Sequence, residues 1–393
     1  FGITTVDART VISPEFKGAG HHIYLVRHTP REDYMPDTGQ LKRNFSFVSD
    51  QIAAGRIVSA WSVGFGGVAE ALAKMAFGNA VGAEVEMDEP KLYDYAYGSI
   101  VVESVGELDF PAAELVGRTV ADDALTVAGE RLPLDALYRA NTEKFATIYP
   151  DKGDNRAEVM TSAPEPRTFV YPGQAVEHPR VFIPVFPGTN CDYDTAKAFR
   201  RAGAEVSMGV LCNLGGDDIL RSIAEMKEQI RRAHIFVLAG GFSAGDEPDG
   251  SAKFIVNVLN NKDIRDEIHA LLDRGGLILG ICNGFQALVK SGLLPYGRLG
   301  MVTTSSPTLF RNDINRHISQ IVSTRVASVN SPWLAGFSLG EVHSIAVSHG
   351  EGKFVVSEEL ARELFAAGQV AFQYVDASGR PTAEAPFNPN GSS

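Results

Sequence analysis

In residues 277–286, Leu-Ile-Leu-Gly-Ile-Cys-Asn-Gly-Phe-Gln, an apolar run ends in Gly280-Ile281-Cys282-Asn283-Gly284 and a helical pattern follows. Gly-x-Cys-x-Gly after a buried strand has the spacing of a nucleophile elbow, with cysteine where many hydrolases carry serine. The expected strand delivers Cys282 to a sharp turn, and Gly280 and Gly284 remove Cβ atoms that would collide there. A helix expected over Phe285–Ser291 and stopped by Gly292 sets the thiol at a helix N-terminus. Unpaired N–H groups and the positive dipole end favour negative charge there by about 0.3–1 kcal/mol. Such a turn suits acyl transfer through a thioester. The competing reading makes Cys282 a small buried hydrophobe, the ordinary fate of a free cysteine; glycines at elbow spacing weigh against it.

A thiolate attacking an amide needs donors for the oxyanion, a base, and a group that orients the base. The strand expected at Ile235–Leu238 runs into Ala239-Gly240-Gly241-Phe242-Ser243-Ala244-Gly245-Asp246, so the Gly240–Phe242 N–H groups could join that of Asn283 in an oxyanion hole. Alone, the same glycines make an ordinary tight turn. Among nine histidines, His349-Gly350-Glu351 stands out, because residues i and i+2 of an extended segment point the same way and the carboxylate could orient the imidazole. Two glycines within Ser348–Gly352 fit a polar loop equally well. His343 and His317 are weaker candidates, and Asp192, Asp194, Asp217 and Asp218 read as helix N-cap or first-turn residues. Gly64-Phe65-Gly66-Gly67 ahead of a helix could cradle a phosphate. No Walker-type lysine or dinucleotide fingerprint accompanies it.

The elements that must position these residues alternate from Arg180 onward in the α/β manner. Strands are expected at Val181–Phe186, Glu205–Val210, Ile235–Leu238 and before Cys282; helices at Asp192–Ala202, from about Asp217, at Ser251–Leu259 and at Ile264–Arg274. Repeated β-α units imply a mostly parallel sheet covered on both faces, with a site at the carboxyl ends of its strands. Gly240-Gly241 and Cys282 both fall at such ends. Residues 1–118 read as a separate α+β lobe, with strands at His22–Arg27, Ile57–Trp61, Ala83–Met87 and Ile100–Glu103 and helices near Asn44–Ala54 and Val68–Phe77. Residues 119–179 read as a connecting region, with a helix at Leu134–Ile148 and a proline-bearing linker from Asp151 to Pro179. The second domain is then 180–393.

Composition narrows the classes of function. The net charge of −12 is spread along the chain and no Lys/Arg cluster alternates with aromatics, which argues against nucleic-acid binding. No run of 18 apolar residues suggests a membrane span. Cys191, Cys212 and Cys282 fit neither a disulfide framework nor a zinc site, so a reducing, cytoplasmic setting and no metal in this domain are expected. Phe1 in place of an initiator Met and the turn-rich run Phe387–Ser393 suggest that both ends are cut from a longer polypeptide.

Three stretches together, Phe186-Pro187-Gly188-Thr189-Asn190-Cys191-Asp192, the Ala239–Asp246 turn and Gly280–Gln286, closely resemble the class I glutamine amidotransferase domain of the phosphoribosylformylglycinamidine synthase family. His343–Phe354 and Asn388-Pro389-Asn390-Gly391-Ser392 extend the match, and Ser62–Ala76 resembles the carboxyl-terminal lobe of an aminoimidazole-ribonucleotide-synthetase-like half of the large single-chain form. The resemblance implies a ligase of purine biosynthesis that uses ATP and Mg²⁺, at a site mostly outside this chain, to amidate formylglycinamide ribonucleotide with ammonia from glutamine. It assigns Cys282 as the nucleophile, Gly241, Phe242 and Asn283 to the oxyanion and glutamine-binding turns, and Gln286 to the glutamine pocket. Asn190, His349 and Glu351 become pocket or interface residues. Ammonia would reach the preceding synthetase lobes through a protein channel. In that family the catalytic His-x-Glu follows the Asn-Pro-Asn-Gly-Ser stretch, so the general base is expected beyond Ser393. The front lobe also departs from the family's Asp-rich turn, which puts nucleotide chemistry there in doubt. Alternatives from the same residues are a glutaminase feeding another synthetase, a non-catalytic docking module of this fold, and a general cysteine hydrolase.

Overall fold

The computed structural model describes residues 5–150, 159–160, 175–243 and 252–392, and the chain divides into two units, Phe1–Thr147 and Ile148–Ser393. The expected linker falls largely outside the described residues.

The first unit contains β1 (His22–Val26), α1 (Thr38–Ala53), β2 (Ile57–Ser62), α2 (Gly67–Phe77), β3 (Gly82–Val85), α3 (Glu89–Leu92), β4 (Ile100–Ser104), β5 (Ala113–Val120), β6 (Ala124–Val127), β7 (Glu130–Pro133) and α4 (Leu134–Thr142). Its seven strands form one sheet in the order β2-β4-β1-β5-β3-β6-β7, antiparallel except for the β3–β6 pair. Strand alternation builds two cores. Ile23 and Leu25 of β1 pack with Val68, Leu72 and Met75 of α2, while Tyr24 and Val26 face Val48 of α1. Helix α1 begins earlier than expected because the Asp37 side chain caps it, accepting from the Gln40 N–H.

Two expectations for this unit need correction. A boundary at 118 lies inside β5, and β6 and β7 extend the same sheet to Pro133. These strands are only four residues long and partly exposed, too short for alternation to show. The helix expected over Leu134–Ile148 stops at Thr142 and passes into a 3₁₀ turn at Glu143–Phe145.

The second unit opens with β8 (Arg180–Val185), α5 (Asp192–Arg201), β9 (Glu205–Val210), α6 (Gly216–Arg232), β10 (Ile235–Leu238), α7 (Lys253–Leu259), α8 (Lys262–Asp273), β11 (Leu277–Gly280) and α9 (Asn283–Lys290). The four strands pair in parallel in the order β11-β10-β8-β9. Alternate residues again face opposite sides. Phe182, Phe236 and Leu238 pack on Met226 and Ile230 of α6, Ile255 of α7, Ile268 of α8 and Ala287 of α9; Val181, Ile183 and Val237 face Ala196 and Phe199 of α5. Full burial of each such aliphatic side chain stabilises the fold by about 1.5–3 kcal/mol.

The chain continues through α10 (Leu293–Tyr296), β12 (Thr308–Phe310), β13 (Ile318–Val326), β14 (Val342–His349), β15 (Lys353–Val355), α11 (Glu358–Ala366) and β16 (Phe372–Tyr374). Strands β14-β13-β16 form an antiparallel sheet and β12-β15 a two-stranded ribbon. Residues 349–352, the last residue of β14 and the three that lead into β15, make the turn between these strands. Among the described residues no helix is long and apolar enough to cross a membrane.

Candidate active site

Cys282 sits where β11 becomes α9, with φ 52° and ψ −111°. It is exposed, which removes the buried-hydrophobe reading. Each elbow glycine has its own steric reason. A Cβ on Gly284 would collide with the Leu238 carbonyl, and one on Gly280 would lie 2.6 Å from Leu288 Cδ1 and 2.7 Å from the Gly284 oxygen. The elbow thus packs directly on β10.

Parallel pairing sets the second turn beside it. Leu238 is in register with Gly280, so Gly240 and Cys282 lie equally far past the strand ends. A Cβ on Gly240 would stand 3.4 Å from Cys282 Cβ. Gly241, with φ 141°, bridges to Thr189, and its own Cβ would lie 2.5 Å from the Gly188 oxygen. On either side of that bridge the Asn190 N–H donates to the Gly240 carbonyl (3.1 Å) and the Phe242 N–H to the Gly188 carbonyl (2.9 Å). The three stretches singled out in the sequence therefore meet at one place.

This pattern divides their parts. The Phe242 N–H is committed to Gly188, and its ring is 63% exposed. The Gly241 N–H has no acceptor among the described residues. Asn190 is exposed, and its side-chain oxygen accepts from Cys191 Sγ at 3.4 Å. Ala244, Gly245 and Asp246 lie outside the described residues. Asp192 is not the cap of α5: Cys191, itself in the left-handed region at φ 65°, takes that position and Asp192 opens the first turn.

Asn283 is 2% exposed. Its Oδ1 accepts from the Ser243 N–H (3.3 Å), and its Nδ2 donates to Gln286 Oε1 (3.1 Å). Gln286 Nε2 in turn donates to the Glu351 carbonyl (3.0 Å). The Gln286 amide is thus bonded at both ends within the protein.

His349 and Glu351 do not form a dyad here. The His349 Nδ1 is 3.1 Å from Asn312 Oδ1, and its Nε2 is buried without a partner among the described residues. Burial, with the nearby His317 adding to it, holds this imidazole below its ordinary value. Glu351 reaches the elbow through its main-chain oxygen. His317 Nε2 instead pairs with Ser348 Oγ (2.9 Å), and His343 lies 3.2 Å from Glu341. Asn312 was not singled out from the sequence. Its importance depends on residues 37–40 positions away, and Arg311-Asn312-Asp313 reads as a polar turn.

The Asn388–Ser392 stretch closes over the same loop. Asn390 Nδ2 donates to the Gly352 carbonyl (2.9 Å) and to Tyr374 Oη (3.1 Å), and the Phe354 N–H donates to Ser392 Oγ (2.8 Å). A cavity of about 230 Å³ lies nearby, lined by residues that include Asp313, Arg316, Gln320, Pro386 and Asn388. In the first unit, the Gly64–Gly67 turn is filled by the chain's own Glu70, whose Oε2 accepts from the Gly66 N–H (2.9 Å). The Lys74 ammonium, and then that N–H, hold the Glu70 carboxyl below its usual range. An anion already occupies this turn, so it does not fit a phosphate. Among the described residues no group of three or more His, Cys, Asp or Glu side chains is arranged to hold a metal ion.

Residues 178–393 match the family described as the CobB/CobQ-like glutamine amidotransferase domain. The chain belongs to this family. Curated relatives of this amidotransferase domain include phosphoribosylformylglycinamidine synthase subunit PurQ of Salinibacter ruber, 32% identical over 213 residues, which are 54% of this chain and 77% of that protein. The same subunit from Haloquadratum walsbyi is 34% identical over 212 residues, 54% of this chain and 80% of that protein. Among solved structures, "Structure of PurLQS from Thermotoga maritima" aligns at 27% identity and TM-score 0.37, covering 54% of this chain and 84% of that one. The amidotransferase domain is thus PurQ-like, and it coincides with the unit that carries Cys282.

Proposed function

We propose that the chain releases ammonia from glutamine at Cys282, as the glutaminase part of a phosphoribosylformylglycinamidine synthase of the large single-chain form. The observation that carries this reading is the exposed cysteine at φ 52° on a strand–helix turn, with the Gly240–Gly241 turn packed beside it. In the proposed reaction the Cys282 sulfur attacks the side-chain carboxamide carbon of glutamine. The carbonyl oxygen becomes an oxyanion held by the Gly241 N–H and donors at the start of α9, a type of interaction worth on the order of 10²–10³ in rate. The carbon–nitrogen bond breaks, ammonia leaves with an added proton, and a γ-glutamyl thioester remains. Water then attacks the thioester, releasing glutamate and restoring the thiol.

The base that readies that water is assigned to a group other than His349, because Glu351 meets the elbow through its main-chain oxygen and an amide, Asn312, stands where a carboxylate would orient that imidazole. The first unit is read as the synthetase-like lobe. ATP, Mg²⁺ and formylglycinamide ribonucleotide are assigned to the synthetase lobes of the whole enzyme, because Glu70 fills the glycine turn here. The ammonia channel and the cytoplasmic setting belong to the same proposal.

The test is intact-mass labelling with a glutamine-mimicking diazoketone, mapped by peptide digestion, beside an assay of glutamine turnover. Labelling at Cys282 with turnover near background is the expected result. Full turnover would return His349 and Glu351 to a catalytic role. Absence of labelling would favour the docking module, and cleavage of peptides without glutamine turnover the general hydrolase.

A further inference from the structure

We propose that Asn312 is a positioning residue for the Cys282 site, acting through a relay of three side-chain amides, Asn312, Gln286 and Asn283. The inference rests on the amidotransferase reading of Cys282 and deepens it.

Asn312 is 1% exposed, in the connection between β12 and β13. Its Oδ1 accepts from His349 Nδ1 (3.1 Å) and from the Gly352 N–H (3.3 Å). Its Nδ2 donates to the carbonyls of Arg316 (3.0 Å) and His349 (2.9 Å). Its own N–H donates to the Gly350 carbonyl (2.9 Å). Both amide hydrogens and both oxygen lone pairs are therefore used. The two carbonyls and the Gly352 N–H leave one orientation for this amide, so the His349 nitrogen facing Oδ1 must carry a proton. A carboxylate at 312 would place an acceptor against two carbonyls.

Three of the four residues in the 349–352 turn thus hang on Asn312. The fourth, Glu351, turns its carbonyl to Gln286 Nε2 (3.0 Å). Gln286 stands one helical turn beyond Cys282, and its Oε1 accepts from Asn283 Nδ2 (3.1 Å), whose Oδ1 accepts from the Ser243 N–H (3.3 Å). The relay ends on the two segments that flank the thiol, residues 240–243 and 283–286. It joins a loop of the antiparallel part of the domain to the carboxyl ends of the parallel sheet. Loss of the amide at 312 releases the loop, and with it the partner that fixes Gln286. Reaction with a glutamine-shaped electrophile, which must be seated before it reacts, should suffer more than reaction with a small one.

The experiment uses the full chain and follows Cys282 alkylation by the glutamine-mimicking diazoketone and, separately, by iodoacetamide. Wild type is compared with Asn312→Ala, Gln286→Met and the double variant. Misplacement of order 1 Å is enough for large rate losses, so each single variant should lose about tenfold in limiting rate with the diazoketone and less than twofold with iodoacetamide. Members of one relay are not additive, so the double variant should be no slower than the slower single one. The ¹⁵N signals of His349 should report the Nδ1–H tautomer in wild type and a tautomer mixture in Asn312→Ala. Wild-type rates in both single variants, or multiplied losses in the double, overturn the relay while the amidotransferase reading stands. A wild-type thiol that iodoacetamide alkylates and the diazoketone does not overturns that reading and this inference with it. Should Asn312→Ala fail to fold, Gln286→Met, which keeps the side chain's length and removes only its amide, decides the question.

Discussion

A cysteine at φ 52° and ψ −111° holds a conformation that its Cβ disfavours, at a cost on the order of 1–3 kcal/mol. Replacing Cys282 with glycine relieves that strain, less the roughly 0.5–1 kcal/mol that glycine loses through its freer unfolded chain. Cys282→Gly should thus unfold in urea with a free energy about 1 kcal/mol higher than wild type while losing all labelling. A glycine variant less stable than wild type would show that the elbow is unstrained. The histidines give a second test at this scale. Burial comes first among the causes that hold His349, His234 and His269 below their ordinary 6.5. As pH falls through 6.5 the unfolded chain takes up these protons before the native one, so stability is level above that value and declines below it, toward the folded pKa values. Thermal midpoints between pH 8 and 5 should show this decline, and His349→Gln should make it shallower. An unchanged slope in that variant would remove His349 from the account.

At the scale of elements, the turns that end β10 and β11 make opposite demands on two glycines. Gly284→Ala forces a Cβ into the Leu238 carbonyl, where backbone cannot yield, and should destabilise the chain by 3 kcal/mol or more, roughly the range of severe core overpacking. Gly240→Ala meets Cys282 Cβ at 3.4 Å and the Ile281 oxygen at 3.7 Å, both ordinary contacts, so it should fold normally and slow diazoketone labelling. Circular dichroism melts beside labelling rates separate the two; equal stability would mean that α9 can back away from the sheet. The parallel core was legible from the sequence because β8, β10 and β11 are nearly continuous apolar runs and α6 carries Ile219, Ile223, Met226 and Ile230 on one stripe. The antiparallel part was not. Strand β14 alternates only between exposed and half-exposed residues, and β12, β15 and β16 have three residues each, so neither periodicity nor length marks them. The same limit explains the site. Cys282 and Gly240-Gly241 announce themselves by local spacing, whereas Asn312 acquires its role only when a distant loop closes over it.

The molecule as a whole is two bodies, each with its own pair of cores. A unit with a complete core can fold alone. Residues 148–393 expressed by themselves should therefore melt cooperatively and label at Cys282 within about twofold of the full chain, since every residue of the Cys282 relay lies in that unit. Calorimetry of the full chain should resolve two transitions, one coinciding with that of the isolated domain. A single merged transition, with an isolated domain that does not fold, would show that the first unit is required.

The turn at 349–352 is held from both directions along the chain, by Asn312 before it and by Asn390 and Ser392 after it. During synthesis, the elbow, its glycine neighbours and Gln286 are all made more than a hundred residues before Asn390. A nascent chain can therefore assemble the parallel sheet and expose the thiol while the Gly352 carbonyl still lacks its last partners. The loop that holds Gln286 gains its contacts with Asn390 and Ser392 only when those residues emerge, so translation makes the reactive sulfur well before the loop beside it is fastened.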